Sequence, residues 1–208
     1  MDWEALLSGF VGGLLAALLV LYFFPTNNFV PSESSTMLLR IEGVPVATIP
    51  KNAEIVYKNA SVAGKLHCLR DSKNIYIFQS CVRGSEIAQE QHFKEAFKKT
   101  LLEISMFLNS SVKSVTLYKK SQNREFFDKA SEVLSSSITS GSQVIAKYKY
   151  IDSVLGYNFC VVTLYDPREA FKAESIQEKL KGISQKYGVD WKEFIDELQE
   201  AMKESYGE

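Results

Sequence analysis

The residues with the widest chemical reach in this chain are two histidines, His67 and His92, and three cysteines, Cys68, Cys81 and Cys160. A zinc site needs ligands in clustered pairs, so that neighbouring turns converge on one ion. His67, Cys68, Cys81 and His92 supply four ligand types but show neither a C-x-x-C nor a paired-histidine spacing. Nor does His67 beside Cys68 suggest a catalytic pair, because strand neighbours point to opposite faces. The sequence has no G-x-S-x-G, no Walker loop, no G-x-G-x-x-G and no H-E-x-x-H. Glu86, Glu90, Asp128 and Glu132 stand among lysines and read as solvated helix faces, not as an acid–base pair. The expectation is a non-enzymatic protein with no metal and no cofactor.

The cysteines leave two readings. Cys68 and Cys81 can pair in an oxidising compartment, with Cys160 a buried thiol in an apolar strand, or all three stay reduced. Lys119, Lys120 and Arg124, with Lys147 and Lys149, offer a modest basic patch, and a solvated strand edge is the plainer account of it. The formal charge is −1, so no broad basic field exists to attract nucleic acid.

The elements that must position these groups begin with Leu6 to Phe24, an uncharged run of length close to the hydrocarbon thickness of a bilayer. Trp3 just before it and Tyr22 near its far end suit the interfaces, and Pro25 ends it. Two acids and no Lys or Arg precede the run, and no small-x-small site follows, so an uncleaved single-pass anchor over 1–25 is expected. The first base after it is Arg40, so charge does not fix orientation. Ser8, Gly9, Gly12, Gly13, Ala16 and Ala17 form a ridge of small residues suited to helix association in lipid.

A polar linker over 26–36 leads to a β-rich stretch over 37–82, either a small β subdomain or added strands on the sheet that follows. Strands are expected at Met37–Glu42, Val44–Ile49, Glu54–Lys58, Lys65–Arg70 and Asn74–Cys81. The core over 83–166 reads helix, strand, helix and hairpin. Its parts are a helix from Ser85 to Leu108, a strand from Val112 to Lys120, a helix from Arg124 to Ser135 and strands at Gln143–Ile151 and Tyr157–Tyr165. Asp166-Pro167-Arg168-Glu169 starts a C-terminal helical hairpin over 167–208, in which Gly188 is the stop. Phe194, Leu198 and Met202 line its last helix and must cover the domain or meet a partner. The fold class is α+β, a sheet with helices on one face.

From Ile75 onward, a strand ending in Ser80-Cys81-Val82-Arg83-Gly84 precedes a long helix, and YNFCVVTLYDPREAFK closes the segment. This resembles the roughly twenty-kilodalton class of small bacterial surface lipoproteins and the related N-terminal domain of the flagellar T protein. In that group a y-x-v-G strand precedes an alanine-rich helix and a yyvLv-l strand precedes the last helix. The resemblance spans about Ile75 to Lys172 and implies an envelope location and a structural or assembly role. The lipid-accepting cysteine is absent, and the spanning helix would take over its anchoring. The expected protein is a single-pass, membrane-anchored envelope component with an outward-facing domain, working as a homo-oligomer or within a larger membrane complex. The alternative is a binding module for a small ligand or envelope polymer.

Overall fold

The computed structural model describes residues 35–72, 74–118, 124–152 and 156–206. The run Leu6–Phe24, its small-residue ridge from Ser8 to Ala17, and Lys119 and Lys120 lie outside them. Among the described residues no helix is long and apolar enough to cross a membrane. The chain divides into two units at residue 35, and the second is an α+β domain with two antiparallel sheets.

Strands β1 (Thr36–Ile41) and β2 (Val44–Pro50) form a hairpin. Its two-residue turn holds Glu42 at φ 46° and Gly43 at φ 83°, the left-handed pair that suits the twist of antiparallel strands. The main sheet has the order β3–β5–β6–β4, from β3 (Glu54–Lys58), β4 (Tyr76–Gly84), β5 (Ser142–Asp152) and β6 (Gly156–Tyr165). The stretch 37–82 is thus divided: β1 and β2 keep to themselves, whereas β3 and β4 become the two edges of the main sheet.

Helix α1 (Ala63–Ser72) stands where a strand is expected over Lys65–Arg70. Val62 and Leu66, one helical turn apart, are both buried in the cluster beneath the hairpin. Asn59 helps start this segment, its side chain accepting from the Ser61 N–H at 3.1 Å. Tertiary burial at helical spacing outweighs the local strand pattern.

Helix α2 runs for 30 residues, Gln89–Tyr118, straight through the end expected at Leu108 and the strand expected over Val112–Lys120. Val112 and Val115 continue the buried stripe of Ile104 and Leu108. Hydroxyls beyond Leu108 bond back to their own helix: Ser111 Oγ donates to Phe107 O at 3.0 Å, and Thr116 Oγ1 to Val112 O at 2.9 Å. Ser85 makes no side-chain cap; its N–H instead donates to His92 Nε2 at 3.2 Å.

Helices α3 (Arg124–Ser136), α4 (Ile138–Gly141), α5 (Pro167–Lys172), α6 (Glu174–Tyr187) and α7 (Trp191–Tyr206) complete the domain. Asp166 caps α5 by accepting from the Arg168 N–H at 3.1 Å, and Pro167 fills the first turn. Gly188 ends α6 at φ 67°. Phe194 packs its ring against Phe126 and Phe127 at centroid distances of 5.2 and 5.7 Å. The helices lie on one face of the main sheet, as the residue pattern implies. The hairpin and α1 cover the other face, which the pattern does not reveal.

Gly141 sits where α4, β6 and α5 converge. A Cβ there would lie 2.7 Å from the Ala170 Cβ and 2.8 Å from the Asp166 carbonyl oxygen. Gly141→Ala is expected to cost about 1–3 kcal/mol, because neither neighbour is a flexible chain end. Gly182→Ala, in open space within α6, should instead stabilise by about 0.5–1 kcal/mol. Chemical denaturation of the two variants checks the contrast.

Candidate functional site

Among the described residues, three places gather chemically capable side chains. The first is a row across the main sheet on its hairpin face: Tyr148 of β5, Cys160 of β6 and Cys81 of β4. The β4–β6 register sets Cys81 directly opposite Cys160, with Cα atoms 4.1 Å apart, and the two sulfurs are bonded. So close an approach marks a non-hydrogen-bonded pair, where antiparallel side chains come nearest. This corrects both readings of the cysteines, a Cys68–Cys81 bond with Cys160 a thiol and three reduced thiols: Cys68 lies in α1, and Cys81 is bonded to Cys160 of the facing strand. The Tyr148 hydroxyl accepts from Gln79 Nε2 at 2.8 Å and lies 3.9 Å from Cys81 Sγ.

The second place is on the helix face, where β5 meets the start of α2. Lys149 Nζ donates to Glu86 Oε1 at 2.6 Å and lies 3.4 Å from Glu54, while the Tyr157 hydroxyl donates to Glu86 Oε2 at 3.2 Å. Lys147 pairs with Glu90 at 3.4 Å and sits over the Phe93 ring at 5.3 Å. The charges of Lys147 and Lys149 are answered by carboxylates of the same chain, which speaks against the basic patch and for the plainer reading of a charged sheet surface. Arg124 belongs elsewhere: it lines a cleft of about 610 Å³ between α2 and α3, with Asn109, Lys113, Asp128 and Ser131. Glu90 and Lys113 are about 35 Å apart along α2 at 1.5 Å per residue, so one patch cannot join the two ends. Phe194, Leu198 and Met202 are also corrected as interaction candidates, since all three are buried in the core.

The third place is a cleft of about 670 Å³ bounded by the β1–β2 turn, α1, the start of β4 and the end of α7. Arg40, Glu42, His67 and Tyr206 are its polar side chains, with Val44, Leu66 and Ile77 on the apolar walls. Arg40 Nη1 is engaged by the Gly43 carbonyl at 2.8 Å. The other histidine is across the sheet: His92 stacks on Phe159 at 5.2 Å and bonds Glu95 through Nδ1 at 3.2 Å. The sheet therefore separates the two histidines. Among the described residues, no three His, Cys, Asp or Glu side chains gather to hold a metal ion.

Sequence reasoning missed the Cys81–Cys160 bond and Tyr206. The available signal for the first was two cysteines in apolar strands, but the strand order that unites them is non-local. Comparisons with protein-family models, curated proteins and solved structures found no match.

The electrostatics set a pH window for the fold. Hydrogen bonding from Lys149, and then from Tyr157, holds the Glu86 carboxyl below its usual range; Gln91 and then His92 do the same for Glu95. A depressed carboxyl contributes stability above its unfolded pKa of about 4.3 and loses it as pH falls through the folded value. Burial, with Tyr150 adding, pushes Tyr148 up to about 12, and burial also raises Tyr76, Tyr165 and Tyr206. Their contribution is intact below the unfolded tyrosine value of about 10 and fades as pH rises through the folded values. Denaturation midpoints should fall below about pH 4 and above about pH 10. A midpoint that climbs beyond pH 10 would contradict the buried tyrosines.

Proposed function

We propose that this chain is a membrane-anchored, non-enzymatic protein of the cell envelope, with a structural or assembly role through self-association or docking of partner proteins. The observation that carries the reading is the Cys81–Cys160 disulfide between neighbouring strands. Disulfides of this kind persist in oxidising compartments and are reduced in a mesophile cytosol. Joined to the apolar run Leu6–Phe24, it supports an anchor in the membrane and a domain on the extracytoplasmic side. The resemblance of the Ile75–Lys172 segment to small surface lipoproteins points the same way.

A second reading is a binding module for a small ligand or an envelope polymer. The cleft of about 670 Å³ favours it, since a mostly apolar hollow with a few convergent polar groups is the usual form of a ligand site.

Extraction of native membranes in mild detergent, followed by size analysis and cross-linking mass spectrometry, tests the first reading. The chain should stay with the membrane fraction until detergent is added and then run as a complex larger than one copy. A lone monomer without cross-linked partners would set the assembly role aside, and a ligand that raises the melting temperature would favour the cleft.

A further inference from the structure

The two ends of the main sheet differ in what they gather. At one end β4 finishes with Gly84 opposite Tyr157, and β5 finishes with Asp152 opposite Gly156. Asn52 belongs to this end, its Nδ2 donating to the Ile151 carbonyl at 2.9 Å. A tight turn leads back from it, the Ala53 N–H donating to the Pro50 carbonyl at 3.0 Å, and Pro50 pairs with Thr36. The chain therefore enters the domain here, at the first residue of β1. The opposite end holds the Glu42-Gly43 turn, Ile77 and Tyr206 around the larger cleft.

Two isoleucines stand bare at the entry end. Ile87, in the single 3-10 turn Glu86–Ala88, is 100% exposed, and Ile151 of β5 is 52% exposed. Lys149 and Tyr157 both bond Glu86, which pins that turn against the end of the β5–β6 hairpin. One exposed apolar side chain is ordinary on a protein surface. Two at the end where the chain enters are an arrangement with a use. Lys51 and Arg83, both exposed, stand at the same end and suit phosphate headgroups. The acids nearby, Glu54, Glu86 and Asp152, are each engaged within the chain.

We infer that this end of the domain is a lipid-contact surface, with Ile87 and Ile151 seated in the headgroup zone of the bilayer. Apolar side chains gain by leaving water for that zone, and basic neighbours add attraction to anionic lipid. The connection to the apolar run argues for lipid as the occupant. Eleven residues, 25–35, join that run to Thr36, and fully extended they reach at most about 40 Å. Strand β4 alone, with nine residues, is about 30 Å long. Turning the cleft end to the membrane would spend most of that reach on running back along the sheet. With the entry end on the lipid, the cleft beside Tyr206 opens away from it. This inference rests on the anchored reading given above.

The test places a nitroxide spin label at Ile87→Cys, Ile151→Cys or Met106→Cys, one at a time, in the full chain carrying Cys68→Ser. Met106 is the control, 56% exposed and about 25 Å along α2 from its start. The chains are reconstituted in phosphatidylcholine–phosphatidylglycerol vesicles, where no partner protein is present. Power saturation compares relaxation by oxygen, which concentrates in lipid, with relaxation by a nickel chelate that stays in water. The oxygen-to-nickel ratio should be severalfold higher at positions 87 and 151 than at 106. Ile87→Asp in the labelled Ile151→Cys chain should bring position 151 down towards the control. Equal ratios at the three positions overturn the inference. So does Ile87→Cys that is open to water in vesicles but shielded from a water-soluble maleimide in native membranes, which assigns this end to a partner protein. If the chain still resists alkaline carbonate extraction in those cases, the anchor stands and only this surface is wrong; a chain released by carbonate removes both.

Discussion

Strand β6 is buried on both faces, and the rest of the domain follows from that constraint. Every residue from Asn158 to Tyr165 is buried. An antiparallel strand in a small domain often keeps one face wet. Here Cys160, Val162 and Leu164 face the cluster under the hairpin and α1, while Phe159 and Val161 face Phe93 and Ala96 of α2. Each fully buried side chain of this size contributes about 1.5–3 kcal/mol, so leaving either face bare would forfeit a large share of the domain's stability. The β1–β2 hairpin with α1, and the helices after β4, are therefore two coverings of one sheet.

The same constraint orders the chemistry. A central strand covered above and below leaves only the sheet edges and the rims of the coverings for contact with other molecules. One rim is the cleft between the hairpin turn and α7, where Tyr206 serves both as a wall and as the bolt on the β4 edge. The other edge, β3, has its charged ends and apolar middle in the open. Between the edges, the Cys81–Cys160 bond ties β4 to β6 across 79 residues of sequence. A cross-link closing so long a loop restricts the unfolded chain strongly, worth about 2–4 kcal/mol in typical cases.

Much of this was legible in the residues because the signals are local. The alternation over Gln143–Ile151 followed by the apolar Tyr157–Tyr165 announces the β5–β6 hairpin. Asp166-Pro167 and Gly188 mark helix ends through side-chain capping and left-handed backbone, and both act as expected. What escaped depends on distant partners. Val112 and Val115 favour a strand by propensity, yet their i, i+3 spacing extends a buried helical stripe. Leu66 looks like a strand residue until the hairpin that buries it is in place. β3 finds β5 some ninety residues on, and no local pattern encodes that pairing. The candidate site fared less well: the ion pairs of Lys147 and Lys149 were not legible, because the carboxylates that answer them, Glu86, Glu90 and Glu54, come from other elements.

The measurement that bears most directly on this account is disulfide mapping of the chain from native membranes, by proteolysis under non-reducing conditions with free thiols blocked beforehand. It tests the β4–β6 register and the oxidising compartment together. The account predicts a linked peptide pair containing Cys81 and Cys160, with Cys68 recovered as a blocked thiol. Recovery of all three cysteines as thiols, or of a Cys68–Cys81 link, would contradict it.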